Sequence, residues 1–228
     1  MFKKSLAAVA VLAAFAGSAY AADVTMYGRV DLGLRFTNTD ADLSTQDDVN
    51  KFEMVSGNYT GSGFGIKGEE DLGNGLKVGF VLENGFSTDS GALGQGGRLF
   101  GRDARLYLDG AFGYLSFGRM GSMVGGNGPY ARFGHVVSPF SCGWGDIGGH
   151  LQVVSLGYEF LDNAVAYTTP TFAGFDATVQ YSFGTDTTKY GTGVEGKSSV
   201  ERMASGAVRY RNDKMMVAFG VESINQAQ

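Results

Sequence analysis

Cysteine is close to absent from the chain: Cys142 stands alone among 228 residues. An exported protein with a single thiol has no internal disulfide scaffold, so the fold must hold without covalent cross-links. Proline is scarce, at three residues, and the plentiful glycine follows no fixed period, which excludes collagen-like and low-complexity organisation. Histidine is limited to His135 and His150, outside every run of strand character. Two such imidazoles are too few for a metal site, and a hydrolase would lack a strand-borne histidine to orient. Basic charge is in deficit as well. Without Lys3 and Lys4 the chain carries 16 basic against 23 acidic side chains, a formal charge of −7, so the basic footprint of a nucleic-acid binder is missing. The last absence is a long hydrophobic run, since no stretch beyond the N-terminus reaches the roughly 20 apolar residues of a transmembrane helix.

The N-terminus is built differently. MFKKSLAAVAVLAAFAGSAYA joins Lys3 and Lys4 to an apolar run, Leu6 to Ala16, and a small-residue end, Ala19-Tyr20-Ala21. This is the order of a secretory signal peptide, with cleavage favoured after Ala21. Residues 1–21 are therefore expected to direct export, and 22–228 to form the mature chain.

What that chain has in quantity is glycine, 37 residues or more than twice the average share of about 7%, together with 13% aromatics. Many tight turns are implied. Between them the hydrophobicity alternates. In FGIKGEEDLGNGLKVGFVLE, residues 64–83, Phe64 and Ile66, then Leu76, Val78, Phe80 and Leu82, recur at every second position around an Asp-Leu-Gly-Asn-Gly turn. Pleating places each set on one face of its strand. The pattern repeats through about nine candidate strands from Val24 to Val221, for example Leu32, Leu34 and Phe36, or Val217, Phe219 and Val221. No apolar position of these sets is charged. The opposite faces carry Arg29, Asp31, Arg35, Lys67, Glu69, Lys77, Glu83, Asp103, Arg105, Asp109, Asp176, Arg209 and Glu222.

Segregation of this kind suits two architectures, a soluble sandwich with a polar exterior and a membrane barrel with a polar bore. The connections separate them. Short turns near Asp71 to Gly75, Gly110 to Gly113, Pro170 to Gly174 and Arg211 to Lys214 alternate with long loops near Thr37 to Gly57, Ser87 to Arg98, Met120 to Ser155 and Gly184 to Ser199. An up-and-down outer-membrane barrel alternates in this way, with short periplasmic turns, and Greek-key sandwiches have no reason to. The expectation is an all-β antiparallel transmembrane barrel whose apolar faces meet lipid, with Tyr27, Phe112, Tyr114, Phe172 and Phe175 as an interfacial girdle. A Lys or Arg on the lipid face at mid-depth would cost about 2–4 kcal/mol, so the segregation of charge is what lipid demands.

At this point the chain resembles the general porins of Gram-negative outer membranes, especially the beta-proteobacterial type. The resemblance rests on VTMYGRVDLGL, FGIKGEEDLGNGLKVGFVLENGF, GRDARLYLDGAFGYLSFGR, DNAVAYTTPTFAGFDATVQYSFG and ASGAVRYRND, in that order. It implies a sixteen-stranded barrel of which about nine strands are represented, so that an ending at Gln228 reads as a truncated gene product or a partial sequence, which as it stands is not expected to close into the family's barrel. It further implies export to the outer membrane, a homotrimer when full length, and a third loop, about 120–155, folded inward. It implies passive diffusion of ions and small hydrophilic solutes without a cofactor or metal.

The resemblance also implies basic residues near the second strand and at the start of the sixth, where this chain has Gly63 and Leu161. Arg119, ending the fifth strand, matches a basic pore residue, yet strict alternation from Leu115 and Phe117 would turn it toward lipid. A bulge, or the strand end at Gly118, must re-aim it. Asp146 and Arg132 of the third loop, with Arg119 and Arg105, are the candidate constriction, and Lys67, Glu69, Arg29 and Asp31 are candidate lining. The acidic surplus on inward strand positions points to a slight preference for cations. Alternatives remain open: a solvated outer loop in place of a constriction, an adhesin without a channel, or a barrel hydrolase. Gly125, Gly126 and Gly128 lack the strand-to-helix setting of a phosphate loop, and Asp40, Asp42, Asp47 and Asp48 read as a solvated acidic loop.

Overall fold

The computed structural model describes residues 23–39, 49–124, 128–133, 156, 158–186 and 201–225. Its strands are β1 (Asp23–Arg29), β2 (Leu32–Thr39), β3 (Val49–Ser56), β4 (Gly63–Asp71), β5 (Lys77–Gly85), β6 (Asp103–Gly110), β7 (Gly113–Gly121), β8 (Phe160–Thr168), β9 (Phe175–Ser182), β10 (Arg202–Arg211) and β11 (Met216–Asn225). One sheet of nine strands runs β1-β4-β5-β6-β7-β8-β9-β10-β11, and β2 with β3 form a separate hairpin. The observed pairs are antiparallel, and β1 and β11 are the two unclosed edges. Among the described residues no helix is long and apolar enough to cross a membrane, which says nothing of strands.

The separate hairpin corrects one expectation. Residues 37–57 are not a plain loop, because β2 reaches Thr39 and β3 occupies Val49–Ser56. Phe52 and Met54 alternate with Lys51 and Glu53 there, a period-two signal hidden among acidic and amide residues. Arg29 pairs with Gly63 and Leu32 with Ser56, so β1–β2 and β3–β4 are two long antiparallel arms, each broken once. Val30 and Asp31 on one arm face residues 57–62 on the other.

The two faces of the sheet behave as lipid and water would require. On the outward face Met26 is 75% exposed and Phe219 73%, and Leu34, Phe36, Leu106, Phe117, Val179 and Val221 are exposed with them. No second layer of described chain covers them. The inward face carries Ser116, Thr178, Gln180, Ser182 and Asp176, all buried. A soluble sandwich would bury the first set and expose the second. The girdle is partly corrected: Phe112, Phe172 and Phe175 are exposed beside short turns, whereas Tyr27 and Tyr114 fall on the inward parity and hydrogen-bond there to Glu83 and Arg105.

What packing exists lies on the inward side. Met120, Tyr130, Leu161, Ala164, Ala166 and Met203 form one cluster, and Met123, Val124 and Ala207 a second that Phe133 joins. Residues 122–124 and 128–133, which follow β7, are thus laid against the inner wall, where the alanines of β8 and β10 leave room. Met123 N–H donates to Gln180 Oε1 at 2.8 Å, and the Gln180 amide returns a bond to the Gly121 carbonyl at 2.9 Å. The segment 1–21, the acidic residues 40–48, and Cys142, Asp146, His135 and His150 lie outside the described residues.

Candidate functional site

The inward strand positions and two connections bring arginines and carboxylates together. Pairing sets Glu83 opposite both Gly65 and Asp103, and Lys67 opposite Thr25. Glu83 is the first hub. Arg102 Nε donates to its Oε1 at 2.5 Å, Arg29 reaches the same oxygen at 3.2 Å, and the Tyr27 hydroxyl donates to Oε2 at 2.8 Å. Tyr27 can lie across the wall because its partner Gly65 has no side chain; a Cβ there would sit 2.7 Å from the phenol.

Asp103 is the second hub. Arg105 Nε donates to it at 3.0 Å, and the Tyr130 hydroxyl from the long loop reaches it at 3.3 Å. The Arg105 guanidinium lies 5.5–5.9 Å from the rings of Tyr107, Tyr114 and Tyr130, a distance at which the ring quadrupoles attract a cation. Burial, reinforced by Asp103, drives the Tyr130 phenol well above its ordinary range, so it stays a proton donor.

The third hub is Asp162. Its Oδ1 accepts from Arg119 at 2.5 Å and from Arg98 at 2.6 Å, and its Oδ2 from Arg98 at 2.9 Å. The bulge that Arg119 requires is present: Gly118 pairs with Ala164 and Met120 with Leu161, so Arg119 alone faces Asp162 and Asn163. Gly118 has φ +125° and Asn163 φ +48°, left-handed turns that break the alternation on both strands. Leu161 is drawn inward by the same break and fully buried. Arg119 Nε also donates to the Gly101 carbonyl at 2.8 Å. The Phe160 ring receives Arg102 and Arg119 at 5.3 and 5.6 Å. The hydrogen bond to Asp162 raises the Arg98 guanidinium pKa above its usual value.

Of the expected lining residues, Arg29, Arg105 and Arg119 belong to this array. Arg132 is enclosed between loop and wall, 1% exposed, with Asp176 at 2.8 Å and Arg209 on the other Asp176 oxygen at 2.7 Å. Burial lowers its pKa while Asp176 opposes the shift. It ties the loop down. Glu69 stands apart, bound to Lys77 at 2.6 Å and Tyr107 at 2.9 Å, and Lys67 sits over the Tyr27 ring at 5.7 Å. Asp31 accepts the amides of Tyr59 and Thr60 at 2.9 and 2.7 Å and so holds the break in the first hairpin.

Sequence reasoning missed Arg98, Arg102 and Asp162 as site residues. Arg98 and Arg102 come from the β5–β6 connection, where no period assigns a face. Arg102 nevertheless fills the vacancy at Gly63: its Cδ lies 3.6 Å from where a Gly63 Cβ would be. A signal was available in the tripeptide Leu161-Asp162-Asn163, a carboxylate before a residue that tolerates left-handed backbone, between two apolar runs.

An antiparallel wall with a greasy exterior, a charged interior and a loop folded onto that interior defines the class of β-barrel membrane proteins. A family model described as Gram-negative porin matches residues 8–228, and the chain belongs to that family. An outer membrane porin protein of Bordetella pertussis is 33% identical over 98% of this chain and 60% of its own length. Outer membrane porin protein 32 of Delftia acidovorans is 31% identical over 96% and 59%. Among solved structures, the anion-selective porin from Comamonas acidovorans superposes with a TM-score of 0.61 at 26% identity, over 88% of this chain and 57% of that one. A loop-deletion form of OmpT from Vibrio cholerae, at TM-score 0.54 and 19% identity, shows the same fold. The chain spans about 60% of the length of these curated relatives.

Proposed function

We propose that the protein, as it exists in the outer membrane, is a water-filled channel for passive diffusion of ions and small hydrophilic solutes. The observation that carries this reading is the seating of Tyr130 and Arg132 on the charged inner face, against Asp103 and Asp176, while the apolar outer face stays bare. A narrowing with fixed charges of both signs in a wide bore sets a size limit and a transverse field, and no chemistry is needed. Asp146 would add to that field from the remainder of the loop. The partners in such a scheme are lipid and solute, and the family resemblance adds a homotrimer.

Selectivity follows from the local balance rather than the strand count. Arg98 and Arg102, which alternation did not reveal, join Arg29, Arg105 and Arg119 against Glu83, Asp103, Asp162 and Asp186, a surplus of one positive charge among the described residues of this array. This reverses the slight cation preference expected from the strands, and it agrees in sign with the Comamonas relative named anion-selective. Single-channel recording on protein purified from outer membranes tests the reading, with stepwise conductance and a reversal potential on the anion side expected. Absence of conductance together with impermeability of proteoliposomes to small sugars would leave the adhesin reading in its place.

A further inference from the structure

We propose that the β5–β6 connection is a second inward element of the pore, and that Asp162 is the positioning residue through which Arg98 and Arg119 set ion selectivity. The inference rests on the channel reading and extends it to a segment that has no strand alternation of its own. Arg98 leaves the connection to meet Asp162 on β8 and Asp186 just after β9, at 2.6 and 2.7 Å. Arg119 reaches the same Asp162 oxygen from β7 and bonds back to the connection through the Gly101 carbonyl. Asn84 of β5 donates to the Leu99 carbonyl at 2.6 Å and the Phe86 amide to the Ser62 carbonyl at 3.2 Å, so the connection is stitched down at both ends. It is not a tether hanging in solvent.

Asp162 itself is held rigidly. Its N–H donates to the Thr185 carbonyl at 3.0 Å, and the Ser182 hydroxyl donates to its carbonyl at 2.6 Å. Side-chain exposures of 7% for Asp162, 13% for Arg119 and 16% for Arg98 grade from wall to bore, so the anion is covered by the two cations it orients. A solute passing this level meets guanidinium edges before it meets the carboxylate. One carboxylate shared by two arginines from separate elements also makes their positions interdependent, which a chance surface pair would not.

The test is reversal potential across a KCl gradient, measured on single channels of the full protein from outer membranes. Asp162→Asn removes one negative charge and loosens both arginines; the chloride-to-potassium permeability ratio is expected to rise roughly twofold or more. Asp162→Glu restores the shared anion and is expected to return the ratio toward the parent value, a rescue that a purely structural role would not produce. Arg98→Gln leaves the Arg119 pair in place, inserts even if Asp162→Asn does not, and is expected to lower the ratio. Parental reversal potentials in Arg98→Gln, or in conducting Asp162→Asn channels, would overturn the inference alone. A parent protein without conductance would sink the channel reading and this inference with it.

Discussion

The first hairpin and the β7–β8 pair are both interrupted, and each interruption centres on one aspartate. In the first hairpin, two residues face six, and Asp31 satisfies the amides of Tyr59 and Thr60 that the missing ladder leaves unpaired. In β7–β8, one residue faces two, and Asp162 takes up two guanidinium groups. The contrast lies in the partner. Backbone amides are neutral donors fixed by the chain path, so Asp31 closes a structural defect. Guanidinium groups are mobile charges on long stems, so Asp162 decides where charge is placed. The same residue type at the same kind of break therefore serves shape in one case and electrostatics in the other.

That comparison is most severely broken at Gly118. Its φ of +125° is a backbone state that side chains rarely adopt, and a Cβ would run into the Ala104 carbonyl. Gly118→Val is expected to destabilise the barrel by at least the roughly 1–3 kcal/mol of such strain, read as a fall in the urea midpoint of heat-modifiable gel mobility. An unchanged midpoint would mean that the bulge tolerates a side chain and does not depend on glycine.

A middle effect is expected at Asp31. Asp31→Ala strands two amide donors and should cost about 1–3 kcal/mol in the same assay, with new protease cleavage in 57–62 and an unaltered reversal potential. Asp31→Asn keeps an acceptor oxygen and should lose less. A selectivity change in Asp31→Asn would erase the distinction between the two aspartates. The smallest effect belongs to Lys77, whose exposed pair with Glu69 at 2.6 Å is of the kind that contributes little. Lys77→Gln should leave the urea midpoint in place and shift reversal potential less than Arg98→Gln; a larger shift would move the selective region down the bore.

Much of the fold was legible residue by residue. Val217, Phe219 and Val221 announce a strand with one greasy face, and the Asp71-Leu72-Gly73-Asn74-Gly75 turn announces its hairpin: the Asp71 carboxylate accepts the Gly73 amide at 2.8 Å, and Asn74 has φ +53°. The β3 sequence has loop character because Lys51 and Glu53 sit among residues that favour turns, and only pairing with β2 rewards the strand. Arg119 was legible as an oddity, since the alternation contradicted a basic residue there and demanded the bulge that the register contains. Arg98 and Arg102 were not legible as site residues, because a connection carries no period from which a direction can be read.

Composition and period by themselves determined that the sheet has one apolar and one charged face, because pleating converts every second residue into a side and lipid forbids exceptions. Which charge meets which was left to the tertiary structure. Arg98 and Asp162 are 64 positions apart, and Arg119 and Asp162 are 43. Local signals mark Asp162 and Arg119 singly, but nothing local says that they meet each other or Arg98. Their meeting depends on register, on two left-handed residues and on a connection folded inward, and these are fixed only when the strands are paired.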